Sequence, residues 1–296
     1  MLFAALLVVS TPPTLVFGGD VMLNGIAPAR KPLAELAPIF QKADAAIVNL
    51  EIPLTNSTTR TTRKTAAEIK RRDQYVLKAD PGHMAHLKAV GIDMVGLANN
   101  HALDYGPKGL DEMIRALDKA GIAHTGAGRN SAAAERVAVI RRGKTRIGLV
   151  SYLAFVSVGG LRKCTPATEK SAGVAVLSFG GKPNVTKIRS IVQNARASCD
   201  VLVVALHWGI EKQTRPSGYQ RALGQAFIDA GADVVWGHHP HVLQPAETYK
   251  RKPIMYSMGN LVSPRPGKSA VAFWRVGTES VTLKPYNIRG GRVTFK

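Results

Sequence analysis

Cysteine is nearly missing from this chain: Cys164 and Cys199 are the two in 296 residues. They form no CxxC pair and no metal-ligand spacing, which excludes a thiolate zinc site and a disulfide-dense scaffold. The two thiols are read either as one bridge, if the protein is exported, or as unpaired structural residues. Aromatic residues are scarce too, at 6%. With no recognition-helix, RNP-like or zinc-finger pattern, that leaves no stacking platform, and no specific nucleic acid is expected as a partner. Acidic residues number half the basic ones, 20 against 40, for a formal net charge of +20 and a pI near 10.3. Such a balance favours polyanionic partners, although a basic solvated surface gives the same count. Long apolar runs are also lacking. Met1 to Val9, followed by Ser10-Thr11-Pro12-Pro13, is too short to span a bilayer and suits the apolar core of a secretory signal. It has no cationic start and no Ala-x-Ala site. Either upstream residues are missing or residues 1–13 are a degenerate leader. An exported or cell-envelope location is expected, and a cytoplasmic one if this segment is no signal.

What the chain does contain is a repeated placement of polar groups. Leu15-Val16-Phe17 runs into Gly18-Gly19-Asp20, and Ala46-Ile47-Val48 into Asn49-Leu50-Glu51. Asp93 to Leu97 reaches Asn99-Asn100-His101, and Val201 to Val204 reaches His207-Trp208-Gly209. Val234-Val235-Trp236 reaches Gly237-His238-His239-Pro240-His241. Short apolar runs rich in β-branched residues read as buried strands. Helical segments alternate with them: Pro107 to Gly121, Asp80 to Gly91, one opened by Pro183, and Gly218 to Ala230. This predicts α/β layering, in which loops leaving the carboxyl ends of parallel strands gather at one crevice. Arg146 to Tyr152 and Ile254 to Ser257 read as further strands. The runs 271–274, 280–283 and 292–295 suit antiparallel strands completing a second sheet. No linker splits residues 14–296, so a single domain is expected.

Taken singly, each polar cluster is compatible with structure alone: Gly-Asp is most often a turn, and a lone core histidine usually has a hydrogen-bonding partner. Five clusters at five strand ends make a metal site the better reading. The donors are oxygen and nitrogen with no thiolate, which suits manganese, iron or zinc without choosing among them. An amide oxygen can ligate, and the imidazole of His101 can donate a proton or stabilise developing charge. Residues two apart in an extended segment point the same way, so His239 and His241 are expected to face one cation while His238 points elsewhere. Roughly six or seven donors exceed what one catalytic zinc takes and fit two adjacent cations. One or two divalent ions are therefore expected.

The segment from Thr55 to Arg72 stands apart as polar, Thr-rich and basic, and it directly follows Glu51. It reads either as a flexible, solvated insertion or as a cationic lip over the crevice. In the second case Arg60, Arg63, Lys64, Lys70, Arg71 and Arg72 would bind an anionic substrate.

At these residues the chain resembles a known family, the capsule-synthesis CapA proteins linked to poly-γ-glutamate production, within the calcineurin-like metallophosphoesterase group. The likeness runs through Gly19-Asp20-Val21-Met22-Leu23, Asn49-Leu50-Glu51, Ala98-Asn99-Asn100-His101 with Asp104-Tyr105-Gly106, His207-Trp208-Gly209, His239-Pro240-His241-Val242-Leu243-Gln244 and Tyr256-Ser257-Met258-Gly259-Asn260. It implies an α/β fold, a four-layer αββα sandwich with a metal centre at one edge of its paired sheets. It also implies Asp20, Glu51, Asn100, His207, His239 and His241 as ligands, and His101 as catalytic acid or charge stabiliser. Those phosphoesterases usually carry Asp-x-His in the first motif, whereas here Val21 and Met22 follow Asp20. Glu51 stands for their bridging Asp, so one metal position is thinner in ligands. The function implied is a metal-dependent hydrolase-like protein in synthesis, release or trimming of an anionic polymer such as poly-γ-glutamate, with a membrane polymer synthase as a further partner. The alternatives are a phosphomonoesterase or phosphodiesterase, and a non-catalytic capsule-assembly scaffold with a structural or vestigial metal site.

Overall fold

The computed structural model describes residues 11–155, 163–177 and 182–295; residues 1–10 of the expected leader lie outside them. The early apolar runs form the parallel strands β1 (Thr14–Val21), β2 (Ala45–Leu50), β3 (Met94–Gly96) and β4 (Ala123–Thr125). A short ribbon, β5 (Ala127–Gly128) with β8 (Gly173–Val174), sits apart. The second sheet contains β6 (Ala138–Arg142), β7 (Thr145–Ala154), β9 (Val201–Trp208), β10 (Val234–His238), β11 (Leu243–Tyr249) and β12 (Lys252–Met258). Its centre β7-β9-β10-β12 is parallel, and the edges β6 and β11 are antiparallel.

The late strands β13 (Asn260–Val262), β14 (Gly267–Arg275), β15 (Thr282–Arg289) and β16 (Arg292–Thr294) correct one expectation. They join the first sheet, in the order β16-β15-β14-β1-β2-β3-β4, with β13 also pairing β1, and do not complete the second. The reason lies in pairing: β14 runs antiparallel along the free side of β1, setting Trp274 opposite Leu15 and Ala272 opposite Phe17. Their inward side chains then share one core.

Side-chain alternation builds the layers. Leu15, Phe17 and Ile47 of the first sheet meet Leu149, Val203 and Trp236 of the second in a dry core between the sheets. The opposite face of the first sheet, with Val16, Val48 and Val95, is covered by α3 (His83–Ala89) and α4 (Gly106–Ala120) through Leu87, Leu110, Met113 and Leu117. The outer face of the second sheet, with Leu202 and Val204, is covered by α6 (Val185–Arg196) and α7 (Gly218–Ala230). Shorter helices are α1 (Ala37–Phe40), α2 (Ala66–Arg71) and α5 (Ser131–Ala134). Four layers result, helix, sheet, sheet and helix. Cys164 and Cys199 lie buried in the two different outer cores and do not bridge each other. Among the described residues no helix is long and apolar enough to cross a membrane.

Candidate metal centre

Strand alternation and one bulge aim the polar clusters into the seam between the sheets. Along β9, residues 201, 203 and 205 face the seam, so His207 does too. Along β2, Ala45 and Ile47 face it, followed by Asn49 and then Glu51 just past the strand. In β1 the same period would turn Asp20 to the helices, since Leu15 and Phe17 face inward. The β1–β2 register slips between Phe17 and Asp20, so Gly18-Gly19 form a bulge that turns Asp20 inward and Val21 outward. Trp236 Nε1 donates to the Gly18 carbonyl at 3.0 Å, tying this bulge to the second sheet.

The resulting cluster is buried. Asp20 accepts from Asn49 Nδ2 at 2.7 Å and from the His239 amide at 3.2 Å. Nδ1 of His238 and Nδ1 of His241 each lie 3.2 Å from its oxygens. Glu51 Oε1 is 3.7 Å from Nε2 of His207 and 3.7 Å from Nε2 of His241. Neither Glu51 oxygen has a hydrogen bond among the described residues. His207 Nε2 lies 2.8 Å from Asn100 Oδ1, and Nδ1 of His241 lies 3.0 Å from Asn260 Oδ1. Donor atoms of Glu51, His207 and His239 lie within 4.8 Å of one another, as do those of Asp20, Glu51 and His241 and those of Glu211, His239 and His241. Glu51 is common to the first two groups.

Two details depart from expectation. The His239–His241 segment is not extended: His239 has φ 93° and His241 φ 58°, both left-handed. The rings converge through strained backbone around Pro240, a conformation that persists only where surroundings enforce it. His238 does not point away either. It ends β10 two residues after Trp236, so it shares the inward face and reaches Asp20.

The electrostatics suit a cation. Burial pushes the Glu51 carboxyl well above its usual range, and the neighbouring Asp20 charge adds to this. Burial alone would raise Asp20, yet His238 and His241 hold it well below the ordinary value. Burial and the facing His239 depress His207 strongly, and burial with His241 takes His239 to about 3. Both rings are therefore neutral at ordinary pH, as ligands must be. His241 opposes this pattern: burial would lower it, but the Glu51 and Asp20 carboxylates push it up to about 10. A buried carboxylate with unpartnered oxygens, ringed by imidazole and amide donors, is a donor set fitted to a divalent ion.

His101 sits beside this cluster with its own support. Its Nδ1 lies 2.6 Å from Asp104 Oδ2, and Lys64 Nζ donates to Asp104 Oδ1 at 2.5 Å. Lys64 also donates to the carbonyls of Tyr75 and Asn100. Lys64 is thus buried beneath the site and is not part of a solvated lip. The rest of the segment is ordered locally. Thr65 and Glu68 form a capping box for α2, and Glu68 pairs with Lys163 at 2.5 Å. Arg60, Arg63, Lys70, Arg71 and Arg72 are exposed, and of these Arg72 lines the adjoining cavity. That cavity, about 850 Å³, is walled by His101, His239, Phe155 and Glu211, and by the cations Arg72, Lys163, Lys212 and Arg265. Sequence reading missed Glu211 and the Lys64–Asp104 support, set His238 pointing elsewhere, and took Asn260 only as the end of the Tyr256–Asn260 motif. Of that support, Asp104 had a local signal, three residues beyond His101.

Residues 14–265 match the family model described as "Bacterial capsule synthesis protein PGA_cap". The chain is 30% identical over 263 residues to "Capsule biosynthesis protein CapA" of Bacillus anthracis, covering 86% of this chain and 61% of that protein. It is 32% identical over 226 residues to "PGA biosynthesis protein CapA" of Bacillus subtilis (strain 168), covering 76% and 54%. The chain thus spans less than two thirds of the length of these relatives. Among solved structures, a "novel phosphatase" from Mycoplasma pneumoniae gives a TM-score of 0.56 at 14% identity, covering 94% of this chain and 93% of that one. A hypothetical protein from Thermus thermophilus gives 0.54 at 13%, covering 93% and 100%. These likenesses concern the fold, an α/β sandwich of the metallophosphoesterase type.

Proposed function

Because the chain belongs to the bacterial capsule synthesis protein PGA_cap family, we propose that it is a metal-dependent hydrolase acting in synthesis, release or trimming of an anionic polymer of the poly-γ-glutamate kind. The observation that carries this reading is Glu51, whose carboxylate is buried between two imidazoles at 3.7 Å without a hydrogen bond among the described residues. A buried carboxylate without a hydrogen bond is costly, and a divalent cation offsets that cost. Asp20, Glu51 and His241 would hold one ion, and Glu51, Asn100, His207 and His239 the other, with Glu51 shared. Bound there, a divalent pair would supply Lewis-acid polarisation of a substrate oxygen and acidify water.

Proton movement falls to His101. Its Nδ1–H is committed to Asp104, so Nε2 is the nitrogen left for the cavity. Burial, with Lys64 alongside, lowers the ring's basicity, so it rests neutral and Nε2 accepts. His101 therefore takes a proton from the attacking water and returns it to the leaving nitrogen or oxygen. The family resemblance implies a catalytic acid or charge stabiliser at this position; on this reading His101 is first base and then acid. The cations Arg72, Lys163, Lys212 and Arg265 around the cavity suit an acidic chain. The names of the Bacillus relatives, which refer to capsule and PGA biosynthesis, support the same substrate class. An envelope location belongs to this proposal and rests on the apolar run Met1 to Val9.

The test pairs metal analysis with a substrate panel. Glu51→Ala and His241→Ala should each lower metal content by mass spectrometry, because each removes a direct donor. His101→Ala should keep its metal and lose roughly 10²–10⁴-fold in turnover of γ-glutamyl polymer. Unchanged stoichiometry in both ligand variants would sink the centre. Turnover confined to phosphoesters would move the assignment to a phosphoesterase. No turnover at all, with polymer assembly still requiring the protein, would make it a scaffold.

A further inference from the structure

The two cation positions differ in the elements that furnish them. Asn100 Oδ1, 2.8 Å from His207 Nε2, adds a fourth donor to Glu51, His207 and His239. On the other side Asp20, Glu51 and His241 are joined by Asn260 Oδ1, 3.0 Å from His241 Nδ1, while Met22, two residues beyond Asp20, packs its apolar side chain against the outer core of the first sheet. Met22 therefore supplies no ligand there.

Glu211 approaches from a different element. It lies on the loop leaving β9, and its carboxylate falls within 4.8 Å of donor atoms of both His239 and His241. His239 Nδ1, in a residue only 8% exposed, has no hydrogen bond among the described residues. Glu211 itself is exposed and makes no hydrogen bond or close ion pair to another described side chain. It also stands on the wall of a cavity that carries Arg72, Lys163, Lys212 and Arg265. A free carboxylate in that wall would repel an acidic chain, whereas one bound to a cation would not.

Resting on the metal-centre reading above, we propose that Glu211 is the ligand that closes the Asp20–Glu51–His241 cation position from the open side of the crevice. The β9 loop would thus contribute what Met22 cannot. The left-handed Gly209, with φ 84°, lets the chain turn out of β9 so that Glu211 comes back over the site.

Titration of the full metal-free chain with Mn²⁺, followed by calorimetry and electron paramagnetic resonance, tests this. The parent should take up two ions with the spin-coupled signal of a close pair. Loss of an outer-shell partner already costs 10–100-fold in affinity, so Glu211→Gln should weaken the second ion by at least about a hundredfold and leave an isolated-ion signal. Glu211→Asp keeps the charge and shortens the arm. It should behave like Glu211→Gln if ligation is the role, and like the parent if only charge matters. Two ions at parental affinity in Glu211→Gln, or a parental Glu211→Asp, would overturn the assignment. So would a parent that binds a single ion unaffected by Glu211→Gln. A parent that takes up no Mn²⁺ sinks the centre itself, a failure distinct from that of this ligand.

Discussion

Lys64 shows how much one side chain can change the meaning of a segment. In sequence it is one cation among many between Thr55 and Arg72; in space it is buried against Asp104 and two backbone carbonyls. Asp104 accepts from Lys64, from the Leu77 amide at 2.7 Å and from His101, so one carboxylate ties together three loop segments. Breaking such a pair on one side leaves a buried charge uncompensated, at a cost of about 3–5 kcal/mol. Lys64→Met should therefore lower unfolding stability by that order in urea titrations. Adding Asp104→Asn should return part of the loss, because the orphaned charge is then gone. A single variant within about 0.5 kcal/mol of the parent, the range of ordinary surface changes, would show that Lys64 is not a buried partner.

At the level of elements, the seam-facing site depends on the irregularity in β1. A Cβ added at Gly19 would sit 2.0 Å from the Gly259 carbonyl oxygen, which is backbone and cannot rotate aside. At Gly18 the nearest atom is Leu261 Cδ1 at 2.7 Å, the end of a flexible side chain. Gly19→Ala should thus destabilise by at least the roughly 1–3 kcal/mol typical of overpacking and, by shifting Asp20, weaken metal binding. Gly18→Ala should be milder on both counts. Equal effects in melting and metal titration would contradict the bulge's role. The strands themselves were legible because β-branched runs ending in polar clusters carry their own signal. So was the convergence of Asp20, Glu51, Asn100, His101, His207, His239 and His241 at one crevice, since parallel strands impose it. The bulge, the left-handed turns of His239 and His241, and the placement of β14 beside β1 were not legible. Each is decided by contacts between residues distant in sequence. Glu211 escaped notice for the same reason: one glutamate on a loop has no local pattern until two histidines from another loop face it.

For the whole molecule, charge is the dominant fact. A formal net charge of +20 raises the local concentration of any polyanion, and the effect weakens with salt as the Debye length falls to about 10 Å at 0.1 M. The exposed cations of the insertion contribute to this field from beside the crevice, although only Arg72 among them reaches the cavity wall. Their contribution should therefore be long-range and additive. Changing Arg60, Arg63, Lys70, Arg71 and Arg72 to Gln, with Lys64 kept, should weaken binding to poly-γ-glutamate and flatten the dependence of affinity on salt. Metal content should not change, and stability should shift little, since exposed substitutions of this kind usually stay within about 0.5 kcal/mol each. Titrations of parent and variant against poly-γ-glutamate and against duplex DNA, at several salt concentrations, separate the outcomes. Identical affinity and salt slope would mean that the insertion is only a solvated loop. Tighter binding to DNA than to the polymer would count against an acidic capsule polymer as the substrate, because the cavity's four cations would then be serving a phosphate backbone.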